Sequence, residues 1–147
     1  MSGFFAYFLR FFLILIGYAC AALGASAFIH LLLVGLFELT SEEFAFISGG
    51  FFVSVPIVAL FVSYFAFFPA MIAIAIAEVA ARRDWLFFAI AGGVVGVAAV
   101  YIRGLTLWTD EGLSQPMLAI GACAAGIAGG LCYWLVAGSS SGIRRDV

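Results

Sequence analysis

Four stretches of this chain contain no Asp, Glu, Lys or Arg, and their length decides what the chain can fold into. They run from Phe11 to Phe37, Phe44 to Ala77, Trp85 to Ile102 and Met117 to Ala137. A bilayer core about 30 Å thick is crossed by roughly 20 helical residues, and each stretch meets or approaches that length. Backbone groups in lipid must bond within their own segment, which makes helices the natural form. No ten-residue segment alternates with period two, as a barrel strand would. Composition agrees: 67% of the residues are hydrophobic and 10% charged, with a mean hydropathy of +1.27. A soluble domain is nearer half apolar and a quarter charged, so a water-soluble fold could not hide this much apolar surface. The expected fold is an all-α integral membrane protein, a bundle of four transmembrane helices in a single membrane domain over 1–147. Spans are expected near 11–37, 51–78, 85–105 and 117–137, with a short cytoplasmic tail over 138–147.

Helix-start signals match these edges. Thr40-Ser41-Glu42-Glu43 reads as a capping box, in which a hydroxyl and a carboxylate serve free N–H groups. Asp84 can cap the third helix. Ser114-Gln115-Pro116 introduces the fourth, with proline where its missing N–H costs nothing. The second stretch would make a straight helix of about 51 Å, too long for one plain crossing. Gly49-Gly50, Pro56 and Pro69 are the places to relieve it. The expectation is a short interfacial helix over roughly 41–48, a break at the glycines, then a tilted or kinked span. Ala25-Ser26-Ala27 resembles a signal-peptide cleavage site, but the apolar run continues past it, so an uncleaved first helix is expected.

Four spans place the N-terminus, the 78–84 turn and the C-terminal tail on one side. That side holds Arg10, Arg82, Arg83, Arg144 and Arg145, and the other holds Arg103. Arginine is retained in the cytoplasm, so the topology reads N-in, C-in. Trp85, Trp108 and Trp134 fall near span ends, where an amphipathic ring prefers to sit. Arginine-only basicity and Ala/Gly richness point to a bacterial cytoplasmic (inner) membrane.

The chain has two textures. Fifteen of its 17 phenylalanines lie within residues 1–73, and 11 of its 17 glycines within 92–142. Gly92 and Gly96 form one GxxxG and Gly126 and Gly130 another, while Gly121, Ala125 and Gly129 make a neighbouring stripe. Such spacing puts small residues on one helix face, so that backbones can approach closely. Three origins stay open: packing inside the bundle, contact with a partner or a second copy, and chance in an Ala/Gly-rich sequence. The phenylalanines read most simply as lipid-facing bulk.

Chemistry inside a membrane usually needs ionisable groups at depth, and none lies at the centre of a span. His30 sits two-thirds along the first helix and reads as a partly hydrated interfacial histidine. No second histidine exists to complete a bis-histidine haem site within the chain. Glu78 and Arg82 stand at i and i+4 and can pair where the second helix ends. Ser54, Ser63 and Tyr64 could form a polar line through the second span. Cys20, Cys123 and Cys132 lie in apolar runs without metal-ligand spacing and read as small buried hydrophobes. No nucleophile–base pair or phosphate loop can be assembled, and no basic patch exists for nucleic acid. Neither cofactor nor metal nor enzymatic activity is expected. The size and four spans resemble the small multidrug resistance transporters. Those carry a functional glutamate inside the first helix; this chain has none between Arg10 and Phe37, so their activity does not carry over.

The expected function is an accessory, scaffold or assembly subunit of a membrane complex, with the lipid bilayer and a membrane-protein partner or second copy as contacts. The alternative is a small homo-oligomeric transporter or channel, in which Glu78 would be needed for activity. A third reading, ranked last, is an apolar-ligand or lipid-binding protein using the phenylalanine-rich half, with His30 and Tyr18 as its polar groups.

Overall fold

The computed structural model describes residues 2–36, 41–102 and 115–140, apart from the side chains at 2–4, 6, 36, 41–48 and 115. The elements are α1 (Ser2–Leu36), α2 (Ser41–Val79), α3 (Trp85–Ile102) and α4 (Gln115–Val136), followed by a one-turn 3-10 helix, Gly138–Ser140. Each α-helix is long and apolar enough to cross a membrane. Thr40, the side chains of Ser41, Glu42 and Glu43, residues 103–114 with Trp108, and the tail with Arg144 and Arg145 lie outside the described residues.

The helix that carries the span expected at 11–37 begins earlier, at Ser2, and its apolar stretch runs over Tyr7–Gly35. Arginine is a good helix former, and Arg10 is bonded to other helices rather than marking an end. One expectation is corrected. α2 is one unbroken helix through Gly49-Gly50, Pro56 and Pro69, so the separate helix over 41–48 is not formed. Each glycine disfavours helix by about 1 kcal/mol, less than the cost of freeing several backbone groups in apolar surroundings. At 39 residues, α2 is about 58 Å long.

α2 ends in a compact cap. Ala81 adopts a left-handed φ of 49°. Its N–H reaches Glu78 O at 3.4 Å, and the Arg82 N–H reaches Ala77 O at 3.0 Å. This is the Schellman arrangement, built here on alanine instead of the usual glycine. Asp84 then precedes α3 and lies 3.8 Å from Arg82.

α4 is the central helix, packed most extensively against α3 and then α1, whereas α2 rests on α1 and α3 and stands off from α4. Small residues make this possible. An added Cβ at Gly92 would run into the Gly126 carbonyl, at Gly96 into that of Ala122, at Gly126 into that of Gly92, and at Gly130 into that of Phe88. The α3–α4 backbones are therefore in direct contact, which brings many weakly attracting atoms together. On its α1 side, α4 presents Gly129 to the Ala21 carbonyl, and Ala137, just past its end, meets Gly17. A small core of Ala77, Phe88, Tyr133 and Ala137 closes the end where α1 begins and α2 and α4 finish. Large apolar side chains point outward instead: Phe52 is 84% exposed, and Leu60, Phe61 and Phe68 are exposed with it.

Candidate functional site

Because α2 stands off from α4, the centre of the bundle is not filled. A partly open crevice of about 370 Å³ lies among all four helices, within the usual range of ligand-sized cavities. α1 contributes Tyr18, Ala22 and Ile29; α2 contributes Val58, Phe65 and Ile74. Val95 and Val100 line it from α3, and Ala122 and Tyr133 from α4. The wall is almost wholly apolar because the small residues that let α3 and α4 approach expose methyl and methylene groups. The lining runs from Ala122 to Tyr133 along α4, about 17 Å, and from Phe88 to Val100 along α3, about 18 Å.

Polar contacts fasten α2 to α1 at three depths. Deepest, the fully buried Ser26 Oγ donates to Val55 O at 2.8 Å. Further along, Tyr18 Oη donates to Ser63 O at 2.5 Å. At the closed end, Arg10 donates to Glu78 Oε1 through Nε at 3.1 Å and through Nη2, with both side chains largely buried. Arg10 Nη1 also reaches Ser140 Oγ at 2.9 Å, and Trp134 Nε1 reaches Arg83 O at 2.8 Å. These bonds tie the ends of α1, α2 and α4 together. A charge-assisted pair in such a site is shorter and stronger than a neutral hydrogen bond.

The residues singled out from sequence scatter around this site. Gly92, Gly96, Gly126 and Gly130 meet across the α3–α4 seam. Gly121 does not join them, having no atom within 4 Å of its would-be Cβ, because it sits where α4 has no close neighbour. His30 is half-buried, with Nδ1 2.8 Å from Ser26 O and its ring edge-on to Phe51. A neutral ring then carries its proton on Nδ1. Glu78 is held by Arg10 across helices, a partner 68 residues away, whereas Arg82 faces Asp84 in the exposed turn.

Ser54 and Ser63 reach back to carbonyls of their own helix, Phe51 O at 3.5 Å and Leu60 O at 3.1 Å. Nine residues apart at about 100° each, they lie on opposite sides of α2, and Tyr64 is exposed. The three therefore form no polar line. Cys20, Cys123 and Cys132 are free thiols. The described residues contain no group of three potential metal ligands.

Sequence reasoning overlooked Ser26, Arg10 and Tyr133. Tyr133 is 4% exposed and packs its ring on Phe88 at a centroid distance of 5.4 Å. Its hydroxyl is buried without a hydrogen-bond partner among the described residues. A phenol in a helix of glycine and alanine was the available signal. Comparisons with protein-family models, curated proteins and solved structures return no match.

Proposed function

We propose that this chain is a multi-pass protein of the bacterial cytoplasmic membrane, with both ends in the cytoplasm, that holds a hydrocarbon chain inside its bundle. In this reading it is a non-enzymatic accessory component of a membrane assembly. The crevice carries the proposal. A bundle of this size can close on itself, yet here about 370 Å³ of apolar space remains among four helices. In a membrane such space is occupied by hydrocarbon, since an empty cavity forfeits the dispersion contacts of its lining. The orientation is supported by arginine placement, with Arg10, Arg82 and Arg83 at the end that closes the bundle.

The α3–α4 glycines are engaged within the chain, so a membrane-protein partner or second copy would meet other surfaces, such as the exposed aromatic face of α2. The test is native mass spectrometry of the full chain released from lipid nanodiscs. A retained hydrocarbon-bearing molecule is expected. Its occupancy should fall at least tenfold, about 1.4 kcal/mol, when Ala66 or Val95, both lining residues, is replaced by phenylalanine in a variant whose helix content is unchanged. Equal occupancy in the filled variants would refute the reading. A protein carried along at fixed stoichiometry would identify the assembly.

A further inference from the structure

The crevice is blind at one end and open at the other. Ala77, Phe88, Tyr133 and Ala137 pack together as its floor, and Ile74 both lines the space and packs on that core. Far from the floor, Phe61 lines the crevice and is nevertheless 61% exposed, so its ring stands at a mouth. The side of the mouth follows from the helix. Ala59, two residues earlier, is buried, and Phe61 lies about 200° round α2 from it. α1 holds this part of α2 through the bond from Ser26 to the buried Val55. Phe61 therefore faces away from α1, and the mouth is the gap between α2 and α3.

The level of the mouth follows as well. Phe61 stands about 25 Å along α2 from Glu78, where the charged turn begins. A core about 30 Å thick then puts the mouth near the opposite interface. Tyr101, 60% exposed and next to the lining Val100, is a side chain that prefers such a level. From Phe61 to Ile74 the lining runs about 20 Å along α2, more than half of that core. Polar lining groups at this level are already engaged: Tyr18 Oη donates to Ser63 O, and Ser63 Oγ to Leu60 O. The wall thus accepts a chain and leaves a polar head outside.

We infer that the crevice is a blind sleeve for one long acyl chain of a membrane lipid, entered sideways between α2 and α3 beside Phe61, with the head group outside in the leaflet opposite the Arg10–Glu78 pair. The inference rests on the hydrocarbon-binding reading of the crevice and adds its direction and its preference for length. The full-length protein is offered an equal mixture of two phosphatidylcholines that differ only in acyl-chain length, and bound lipid is read by native mass spectrometry. The wild type should favour the longer chain. Ala73→Phe, beside Ile74 at the floor, should lower the long-to-short ratio at least about fivefold, the low end of what overpacking costs, while the shorter lipid still binds. Ala73→Leu, a smaller insertion, should shift the ratio the same way, so the outcome does not depend on phenylalanine being tolerated. Ala99→Phe, at the mouth end of the α3 lining, should lower both lipids together and leave the ratio unchanged. An exchange of these two behaviours, equal loss of both lipids in both variants, or a wild type indifferent to chain length overturns the sleeve and leaves the hydrocarbon reading standing. Undiminished binding of both lipids in variants of unchanged helix content overturns both.

Discussion

Replacing Gly126 with alanine adds one methyl group where none fits. The new Cβ would run into the Gly92 carbonyl oxygen, with the Gly92 carbonyl carbon at 2.8 Å and Gly96 Cα at 3.2 Å. All three atoms belong to the α3 backbone, so no rotamer change relieves the clash and the helices must part. A separation of roughly 0.5–1 Å forfeits about a quarter to a half of the attraction at each contact along the seam. Overpacking of this kind costs about 1–3 kcal/mol. The helix preference of alanine over glycine returns about 1 kcal/mol. The net effect at Gly126 is a loss of up to about 2 kcal/mol. Gly121→Ala is the control, because its Cβ meets nothing within 4 Å, and it should gain up to about 1 kcal/mol. The two alanine variants should therefore differ by roughly 2 kcal/mol, more than tenfold in the unfolding equilibrium. Reversible unfolding in mixed micelles, followed by tryptophan fluorescence, measures this difference. If Gly126→Ala is as stable as Gly121→Ala, the backbone-contact account of the seam is wrong.

Three further outcomes follow from the polar contacts and the turn. Arg10→Met or Glu78→Met alone leaves a largely buried charge without its partner and should destabilise by about 1.5–3 kcal/mol; the double variant should be more stable than either single one, and additive losses in the same unfolding assay would contradict the pairing. Ala81→Gly relieves a left-handed φ of 49° and should stabilise by about 1 kcal/mol, with a lowered unfolding midpoint as the contrary result. Ser26→Ala removes the bond to Val55 O and should cost about 0.6 kcal/mol, and no more than about 1.7; proteolysis of α2 in nanodiscs should quicken accordingly, and unchanged cleavage would argue against that bond as a fastening.

The four helices were legible because span length is set by bilayer thickness, a constraint that every residue of a span shares. Helix ends were less legible. Arg10 looked like an end because a charge is costly in lipid, yet Glu78 and Ser140 receive it and the helix runs on to Ser2. The glycine spacings were visible, but periodicity gives a face without saying what it meets. Gly121 shares the spacing of Ala125 and Gly129 and still lies beyond the contact. A test of partner binding by Gly126→Leu would damage the α3–α4 seam before it reported on a partner. Likewise, loss of activity in Glu78→Gln would not distinguish a transporter from a scaffold, since the charge pairing with Arg10 is lost either way. Arg10 and Glu78 are 68 residues apart, and no local pattern joins them. The crevice itself was illegible, because it arises from α2 standing off, a property of four helices together.

The fastening of α2 to α1 has a mechanical consequence. The three donors, Arg10, Tyr18 and Ser26, are spaced about 12 Å apart along α1. Lipid tails compete with apolar contacts but cannot replace these polar bonds. α2 is thus fastened to α1 at three levels and rests more lightly on α3. It is the wall of the crevice whose displacement would change its girth. On the proposed hydrocarbon-holding reading, straight and bent chains are then accommodated by movement of α2 rather than by repacking the glycine seam opposite.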